Sequence, residues 1–599
     1  VEIESVPLSM VPKNFINAIL AVEDHRFYEH HGINKLRTLK ALYITLFKPG
    51  EIQGASTVTQ QLAKNLFFSF KQSYMRKFKE LLVSFQIEST NTKNEILHAY
   101  INQIHFGAGA QGVEKAARTF FGKSAADLTL SEAALLAGLP KSPTAYNPFR
   151  HYEKALQRRK TVLRRMQTVG FINEQELQAT LAKKPELSST RTDSRTGSYF
   201  LDALIRELVR KYGEDVVYHG GLKVYTTMDK QLQEHAVESV KKGLSRLDKL
   251  MGLETGDGPK PQGALVSIDT DTGAVKALVG GRDYYESEFN RAVHSYRQPG
   301  SGFKPFLYYT AFDRLGLHPA SVVTDMPITL PVTGAADWQP RNFSRIHRGD
   351  IILKKAMTKS VNTVAARLVK QTGPGPVIET ARLCGINTPL EEVYSVALGT
   401  SPVSVLEMAS AFSTFAKEGI RHDPYMISRI EDPFGSVLEE HIVREKQVLD
   451  PETAYQVLDM MKSVIDRGSG SSVRRLGFSR PAAGKTGTTD NFNDAWFTGF
   501  TPTLCTCVWT GFDKRKIMRN KNGGGITGGR AAAPIWTDFM SNALANQPER
   551  KFTIPESIRF VEVEASTGCP PTGSEKVDLY EVALKENQKI CQDEEKEEY

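Results

Sequence analysis

At 599 residues the chain is too long for one hydrophobic core, so two or more domains are expected. A composition of 40% hydrophobic and 24% charged residues is that of a folded protein, and a net charge of +8 is mild for this length. Such a charge suits an anionic membrane surface or a phosphorylated substrate. No dense Lys/Arg tract interleaved with aromatics argues for nucleic acid.

Residues 1–185 read as almost entirely helical, with apolar residues every three or four positions. Ile16, Ile19, Leu20 and Val22 form one apolar face that runs into Glu23-Asp24-His25-Arg26-Phe27-Tyr28-Glu29-His30-His31-Gly32. The His and carboxylate spacing there is wrong for H-E-x-x-H, so a metal site is not expected. Either this is a solvated loop, or Glu23 is a carboxylate placed at a helix end to act as a base. Ile33, Leu36, Leu39, Leu42, Tyr43 and Leu46, with Lys35, Arg37 and Lys40 between them, suit a membrane interface or a core-facing helix equally. Gly54-Ala55-Ser56-Thr57-Val58-Thr59-Gln60-Gln61-Leu62-Ala63-Lys64-Asn65 is polar and nearly uncharged. Arg76-Lys77-Phe78-Lys79-Glu80 then sets three cations beside a carboxylate: either they suit a phosphate or pyrophosphate leaving group, or Glu80 is a helix residue paired with its neighbours.

Residues 186–260 read as a small mixed linker module, with a strand over 222–227 and a charged helix from Gln231. From about Ala264 the pattern becomes strands, helices, strands, which predicts an antiparallel sheet packed by helices. Within it, Gln298-Pro299-Gly300-Ser301-Gly302-Phe303-Lys304-Pro305 places Ser301 at a helix start and Lys304 one turn on. A neighbouring neutral lysine is the type of base that activates a serine hydroxyl. By itself the spacing is weak, because Ser239-Val240-Lys241-Lys242 repeats it in an ordinary charged helix. Lys359-Ser360-Val361-Asn362 opens another helix. Gly484-Lys485-Thr486-Gly487-Thr488-Thr489 has strand character, and 495–500 and 504–512 alternate like a hairpin. Cys505 and Cys507 fall on one strand face and make a poor disulfide. Cys569 and Cys591 either pair or stay free, and the acidic end at 592–599 is expected to be solvated. No C-x-x-C occurs, and no run of 18 apolar residues spans a bilayer. The chain begins at Val1, and a membrane anchor upstream of it is expected.

Four stretches resemble motifs of the bacterial peptidoglycan glycosyltransferases, in the family's order. They are Glu23 to Gly32 (E-D-x-x-F-x-x-H-x-G), Gly54 to Asn65 (G-x-S-T-x-x-Q-Q-x-x-K-N), Arg76 to Glu80 (R-K-x-x-E), and Lys93, Ile96, Leu97, Tyr100 and Asn102 (K-x-x-I-L-x-x-Y-x-N). Ser301-x-x-Lys304, Ser360-x-Asn362 and Lys485-Thr486-Gly487 resemble the three motifs of penicillin-binding transpeptidases and serine β-lactamases. Val361 stands where that family's middle motif has Asp, a position whose side chain need not face the site.

Together the motifs resemble a class A, bifunctional penicillin-binding protein. The resemblance implies a multidomain chain. An all-α lysozyme-like glycosyltransferase domain occupies 1–185, a small α+β linker 186–260, an α+β penicillin-binding transpeptidase domain 261–546, and a C-terminal tail 547–599. The first domain would polymerise lipid II into glycan with inversion. Glu23 would be its base, and Glu80 would settle the pyrophosphate or a divalent cation on it. Ser56, Gln60, Lys64, Asn65, Arg76 and Lys77 would contact that substrate. The second domain would cross-link stem peptides ending in D-Ala-D-Ala through an acyl ester on Ser301, and β-lactams would imitate that substrate. Lys304 would take the Ser301 proton, and Ser360 would relay it. Asn362 would hold the peptide, while Lys485, Thr486 and Thr488 would meet its carboxylate and Gly487 would leave room for it. The backbone N–H groups of Ser301 and Thr488 would form the oxyanion hole. The implied location is the bacterial inner membrane, with the catalytic domains outside the cytoplasm, and regulatory proteins are implied as partners. The rival readings are a β-lactamase or carboxypeptidase, a non-catalytic antibiotic sensor, and a glycan hydrolase.

Overall fold

The structure is a computed structural model that describes residues 5–32, 57–67, 74–108, 110–143, 145–149, 151–188, 197–213, 216–217, 221–254, 258–331, 336–432, 434–489, 491–572 and 577–591; within these, the side chains of 65–67 and 74–78 are not described. The apolar and basic stretch from Ile33 to Leu46, Ser56, the side chains of Asn65, Arg76 and Lys77, and the acidic end at 592–599 therefore lie outside the described residues. The chain divides into two compact units, 1–195 with 208–221 and 196–207 with 222–599.

Among the described residues the first unit is helical, as expected, apart from one short two-stranded ribbon, His105–Gly107 against Ala110–Gln111. Helix α1 (Lys13–Glu23) buries Phe15, Ala18 and Ile19, an i, i+3, i+4 stripe, together with Leu20, in a core with Tyr100, Ile101, Phe106 and Leu135. Helices α2 (Val58–Phe67), α3 (Tyr74–Thr90) and α4 (Lys93–Gln103) follow. Thr92 and Glu95 close a capping box at the start of α4. This fixes the helix that carries Tyr100 and Asn102. Asn102 in turn donates to the Val6 carbonyl at 3.1 Å and accepts from the Val6 N–H at 3.0 Å.

The second unit is built on an antiparallel sheet. Strands β1 (Gln262–Asp269), β2 (Val275–Val279), β3 (Ala483–Thr488), β4 (Asp494–Phe500) and β5 (Leu504–Gly511) lie in the order β3-β4-β5-β1-β2. The expected hairpin of 495–500 and 504–512 is present as β4 and β5, and every residue of β5 is buried. Neighbouring side chains show why. The Cys505 thiol donates to the Ala409 carbonyl of the helix Val405–Ala416, and the Thr506 hydroxyl to the Met540 sulfur of the helix Gly528–Ala543. Consecutive strand residues face opposite ways, so helices cover both faces. Cys505 and Cys507 are free, as their placement on one strand face required.

The 186–260 stretch is divided between the units: 196–207 and 222 onward belong to this one, and 186–195 with 208–221 to the first. Helix α5 (Lys230–Met251) packs against β1 and β2, and its Gln233 side chain exchanges two hydrogen bonds with the Leu278 backbone. The tail is folded as well. Strands Ile558–Glu564 and Leu579–Lys585 form a hairpin that buries Val563, Tyr580, Val582 and Leu584 with Ala320 and Ile352, and Cys569 is disulfide-bonded to Cys591.

Candidate active sites

In the first unit Glu23 is the last residue of α1. Its Oε2 accepts from Gln61 Nε2 at 2.7 Å, and Gln61 Oε1 accepts from the Tyr100 hydroxyl at 3.0 Å. Burial, with the Glu23 and Asp24 charges behind it, pushes the Tyr100 phenol well above its ordinary range. Tyr100 therefore keeps its proton and donates. That fixes which end of the Gln61 amide faces Glu23. Asp24, buried, accepts from the Val58 N–H at the start of α2 at 3.2 Å and pairs with His30 Nε2 at 2.8 Å. A carboxylate is favourable at a helix N-terminus, and this one seats α2 beside Glu23.

Gln60, expected to contact the substrate, has its side chain engaged at the start of α2. Its amide oxygen accepts from the Thr57 N–H at 3.1 Å, its own N–H returns to Thr57 Oγ1 at 3.2 Å, and the side chain is buried in this capping box. Its neighbour Gln61 meets Glu23 instead. Lys64 lies one turn on from Gln61 and is half-buried, and Glu80 on α3 is buried. Among the described residues no group of three or more His, Cys, Asp or Glu converges to hold a metal ion.

In the second unit, Ser301 lies in the 3-10 turn Gly300–Phe303, which leads directly into helix α6 (Lys304–Leu315). The approach to the turn is pinned: the Trp496 indole N–H donates to the Gln298 carbonyl at 2.9 Å, and Gln298 Nε2 to the Thr400 carbonyl at 2.7 Å. Gly300 has φ +55°, and a Cβ there would stand 2.6 Å from the Thr488 carbonyl oxygen, so only glycine lets the turn come this close to β3. Ser301, Ser360, Asn362, Thr486 and Thr488 line one cleft of about 1030 Å³.

Lys304 and Lys485 do not line that cleft; both are fully buried beneath it. Lys304 Nζ lies 2.7 Å from the Ser360 carbonyl, 3.3 Å from Ser360 Oγ, 3.1 Å from the Val361 carbonyl and 2.8 Å from Asn362 Oδ1. Lys485 Nζ donates to the same Ser360 Oγ at 2.9 Å and to the Thr486 carbonyl at 3.1 Å. Ser360 thus bridges the two amines. It does so from a left-handed conformation, φ 56° and ψ 44°, which costs a non-glycine residue about 1 kcal/mol or more and is held by the helix Leu353–Lys359 that it caps. Val361 is buried, and its carbonyl rather than its side chain serves the site. Burial pushes the Lys485 ammonium down to about 7.

Thr486 and Thr488 share a face of β3, an edge strand. The hydroxyls of Thr486 and Ser469 are 2.6 Å apart, and Thr488 Oγ1 accepts from the Gly528 N–H at 3.0 Å. Packing alone requires the two glycines of this strand. A Cβ on Gly487 would stand 2.2 Å from the Pro299 carbonyl oxygen, and one on Gly484 2.8 Å from Gly499 Cα.

A family model described as transglycosylase matches residues 2–167, and one described as penicillin binding protein transpeptidase domain matches residues 263–540. The chain is 37% identical to penicillin-binding protein 1A of Aquifex aeolicus, over 93% of this chain and 86% of that protein. It is 35% identical to penicillin-binding protein 2D of Bacillus subtilis, over 94% and 80%. Among solved structures it is similar to penicillin-binding protein 1A from Haemophilus influenzae, with TM-score 0.60 and 25% identity over 96% of this chain and 94% of that one. It is also similar to PonA1 from Mycobacterium tuberculosis in complex with penicillin V, with TM-score 0.53 and 28% identity over 60% and 96%. With both sets of motifs folded into separate units and both domain families matched, the chain belongs to the class A penicillin-binding proteins, bifunctional enzymes that polymerise and cross-link peptidoglycan.

Proposed function

We propose that Ser301 is the acylated nucleophile of cross-linking and Glu23 the base of glycan polymerisation. The observation that carries the first assignment is Ser360, bonded at once to Lys304 and Lys485 at the floor of the Ser301 cleft. Ser301 Oγ attacks the carbonyl of the penultimate D-Ala, and its proton passes to Lys304. The oxygens around Lys304 Nζ are acceptors, so they fit the ammonium that this transfer creates better than the amine it starts from. Lys304 and Ser360 return the proton to the departing D-Ala amine. An amine of a second stem peptide then attacks the ester and releases Ser301. The oxyanion is assigned to the backbone N–H groups of Ser301 and Thr488, supported by the close approach of Gly300 to Thr488. Thr486, Thr488 and Asn362 contact the peptide. Lys485 acts on the substrate carboxylate from beneath, through its charge and through Ser360.

In the first unit, Glu23 takes the proton of the acceptor sugar 4-hydroxyl, and that oxygen displaces the pyrophosphate of the growing chain with inversion. The Gln61–Tyr100 hydrogen bonds that orient Glu23 support this role. Lys64, Glu80 and, by resemblance, Ser56, Asn65, Arg76 and Lys77 are assigned to the lipid-linked pyrophosphate. The described donor set does not form a cage for a divalent ion, so such an ion would rest mainly on the substrate's own phosphates, and no step is routed through it.

A lipid-linked substrate places the enzyme at the bacterial inner membrane, with both units outside the cytoplasm. No helix among the described residues is long and apolar enough to cross a membrane. Regulatory proteins complete the proposed partners.

Incubation with pure lipid II tests the proposal. Cross-linked polymer is expected, becoming uncross-linked with penicillin, and Glu23→Gln abolishes polymer while Ser301 still labels. Normal chain growth in Glu23→Gln moves the base elsewhere, and free disaccharide without polymer overturns the polymerase assignment.

A further inference from the structure

The helix Asn362–Thr372 begins without a cap of its own. Its N-cap residue is Val361, which has no side-chain oxygen, so the first backbone N–H groups need acceptors from elsewhere. Asn342, twenty residues upstream, supplies them: its Oδ1 accepts from the Asn362 N–H at 2.9 Å and from the Thr363 N–H at 3.3 Å. The other end of the same amide donates to Asp325 Oδ1 at 2.6 Å and to the Ile346 carbonyl at 3.0 Å. All its hydrogen-bonding capacity is thus used, and only one orientation of the amide fits. Arg341 is next in the chain, and its carbonyl accepts from Asn362 Nδ2 at 2.8 Å. Backbone and side chain of Asn362 are therefore both held by this one segment, with Asn362 Oδ1 left to accept from Lys304 at 2.8 Å.

Asp325 anchors the segment. It ends the strand Val322–Asp325 and has no exposed surface. Its Oδ1 also accepts from Thr363 Oγ1 at 2.5 Å and its Oδ2 from the Arg348 N–H at 3.0 Å, while the Arg348 guanidinium and His347 Nδ1 stand 3.5 Å away. A buried carboxylate with this many donors is stable only in this one arrangement, and its charge sits near the positive end of the helix. We infer that Asp325 and Asn342 are positioning residues of the acyl transfer: they form an external cap that sets Asn362, and through it the cradle of oxygens offered to Lys304. Neither side chain touches Lys304, and neither belongs to the three motifs that carry the chemistry.

The inference rests on Ser301 being the acylated serine, and the test keeps the two apart. Penicillin acylation of the full chain is followed by rapid mixing. The first-order acylation constant reports the working site, and the labelled amplitude reports the fraction folded. Asp325→Asn and Asn342→Asp each break the complementarity of the pair. Each is expected to lower the acylation constant by about tenfold, the order expected for a misplaced catalytic group. The paired exchange Asp325→Asn with Asn342→Asp restores one donor and one acceptor between the two positions, and should recover most of the rate. Full recovery of amplitude with an unchanged rate in the single variants, a fall in amplitude alone, or a paired exchange no faster than the slower single variant overturns the inference. If neither single variant labels, Thr363→Val decides: it removes one hydrogen bond to Asp325 in a nearly isosteric way, and a rate equal to that of the unaltered chain overturns the inference, whereas a slower one supports it. Failure of the unaltered chain to label at Ser301 is a different result, and it overturns the assignment of the nucleophile instead.

Discussion

The chain carries the spacing Ser-x-x-Lys twice in settings of opposite chemistry. Ser301 and Lys304 start a helix against an edge strand; Ser239 and Lys242 lie in the middle of α5. Both serines are within a helical turn of their lysine, so spacing does not separate them. The partners do. Ser239 Oγ donates to Asp538 Oδ2 at 2.8 Å, and Lys242 pairs with the other oxygen of the same carboxylate. That ion pair raises the Lys242 pKa, and a lysine kept charged cannot act as a base. At the other site, Lys304 and Lys485 are buried, and the oxygens named around them are carbonyls, a hydroxyl and an amide. Desolvation without a carboxylate is what brings Lys485 down to about 7. The spacing alone therefore does not separate the two sites: a carboxylate holds Lys242 charged, whereas beneath the Ser301 cleft burial lowers the pKa of the second lysine, Lys485.

The strongest way to break the comparison is to remove each serine. Ser301→Ala is expected to lose covalent penicillin labelling and cross-linking by at least about 10⁴-fold, the scale on which removal of a nucleophile acts, while polymerisation continues. Ser239→Ala should label at the normal rate. Retained labelling in Ser301→Ala, read by gel fluorescence of a tagged penicillin, would mean that another serine is acylated.

A smaller effect separates the two lysine environments by pH. Lys485 is charged below about pH 7 and neutral above it, whereas Lys242, with its pKa raised by Asp538, does not titrate there. The charged form attracts the carboxylate of the ligand. The non-covalent dissociation constant for penicillin should therefore be lowest below pH 7 and rise up to about tenfold per pH unit above it, until the pKa of the complex is reached. Lys485→Arg, always charged, should flatten that limb. A flat profile in the unaltered chain removes the electrostatic role of Lys485. Folding responds in the opposite sense. Between about pH 7 and 10 the unfolded chain holds a proton on this lysine that the folded chain lacks, so this group makes stability rise with pH across that window.

How much of this was legible in the sequence follows the same division. Residues that act through local geometry were readable: the strand Ala483–Thr488, the helix start at Ser301, and the face shared by Cys505 and Cys507. Residues that act through tertiary partners were not. Gln60 and Gln61 are adjacent and alike, and nothing in a helical repeat says which one points at Glu23 until α1 and α4 fix the phase of α2. The left-handed turn at Ser360 has no glycine or asparagine at that position to announce it; the residue caps the helix Leu353–Lys359 and carries the contacts to Lys304 and Lys485. Asn342 caps a helix twenty residues away, beyond any capping pattern in the local sequence. The folded tail is a different case. Tyr580, Val582 and Leu584 alternate in a strand pattern within the segment named only as a C-terminal tail.

The smallest expected effect completes the comparison, because it tests whether the second Ser-x-x-Lys has any role in the chemistry. Lys242 is mostly exposed, with 67% of its side chain accessible, and its bond to Asp538 joins α5 to the helix Gly528–Ala543 across the surface of the sheet. An exposed pair of this type contributes about 1 kcal/mol or less, because water screens it and holding a long side chain costs entropy. Lys242→Met should therefore lower stability by no more than this, and added salt should shrink the difference further, since the unaltered chain loses the same interaction to screening. Acylation of Ser301 should not change. Urea unfolding at low and high salt measures the first two outcomes and penicillin labelling the third. A slower acylation in Lys242→Met would tie the two motifs together and break the distinction drawn between them. An unchanged rate with a small, salt-sensitive loss of stability leaves Ser239, buried, and Lys242, exposed, as a brace between two helices that shares a spacing with the active site and nothing else.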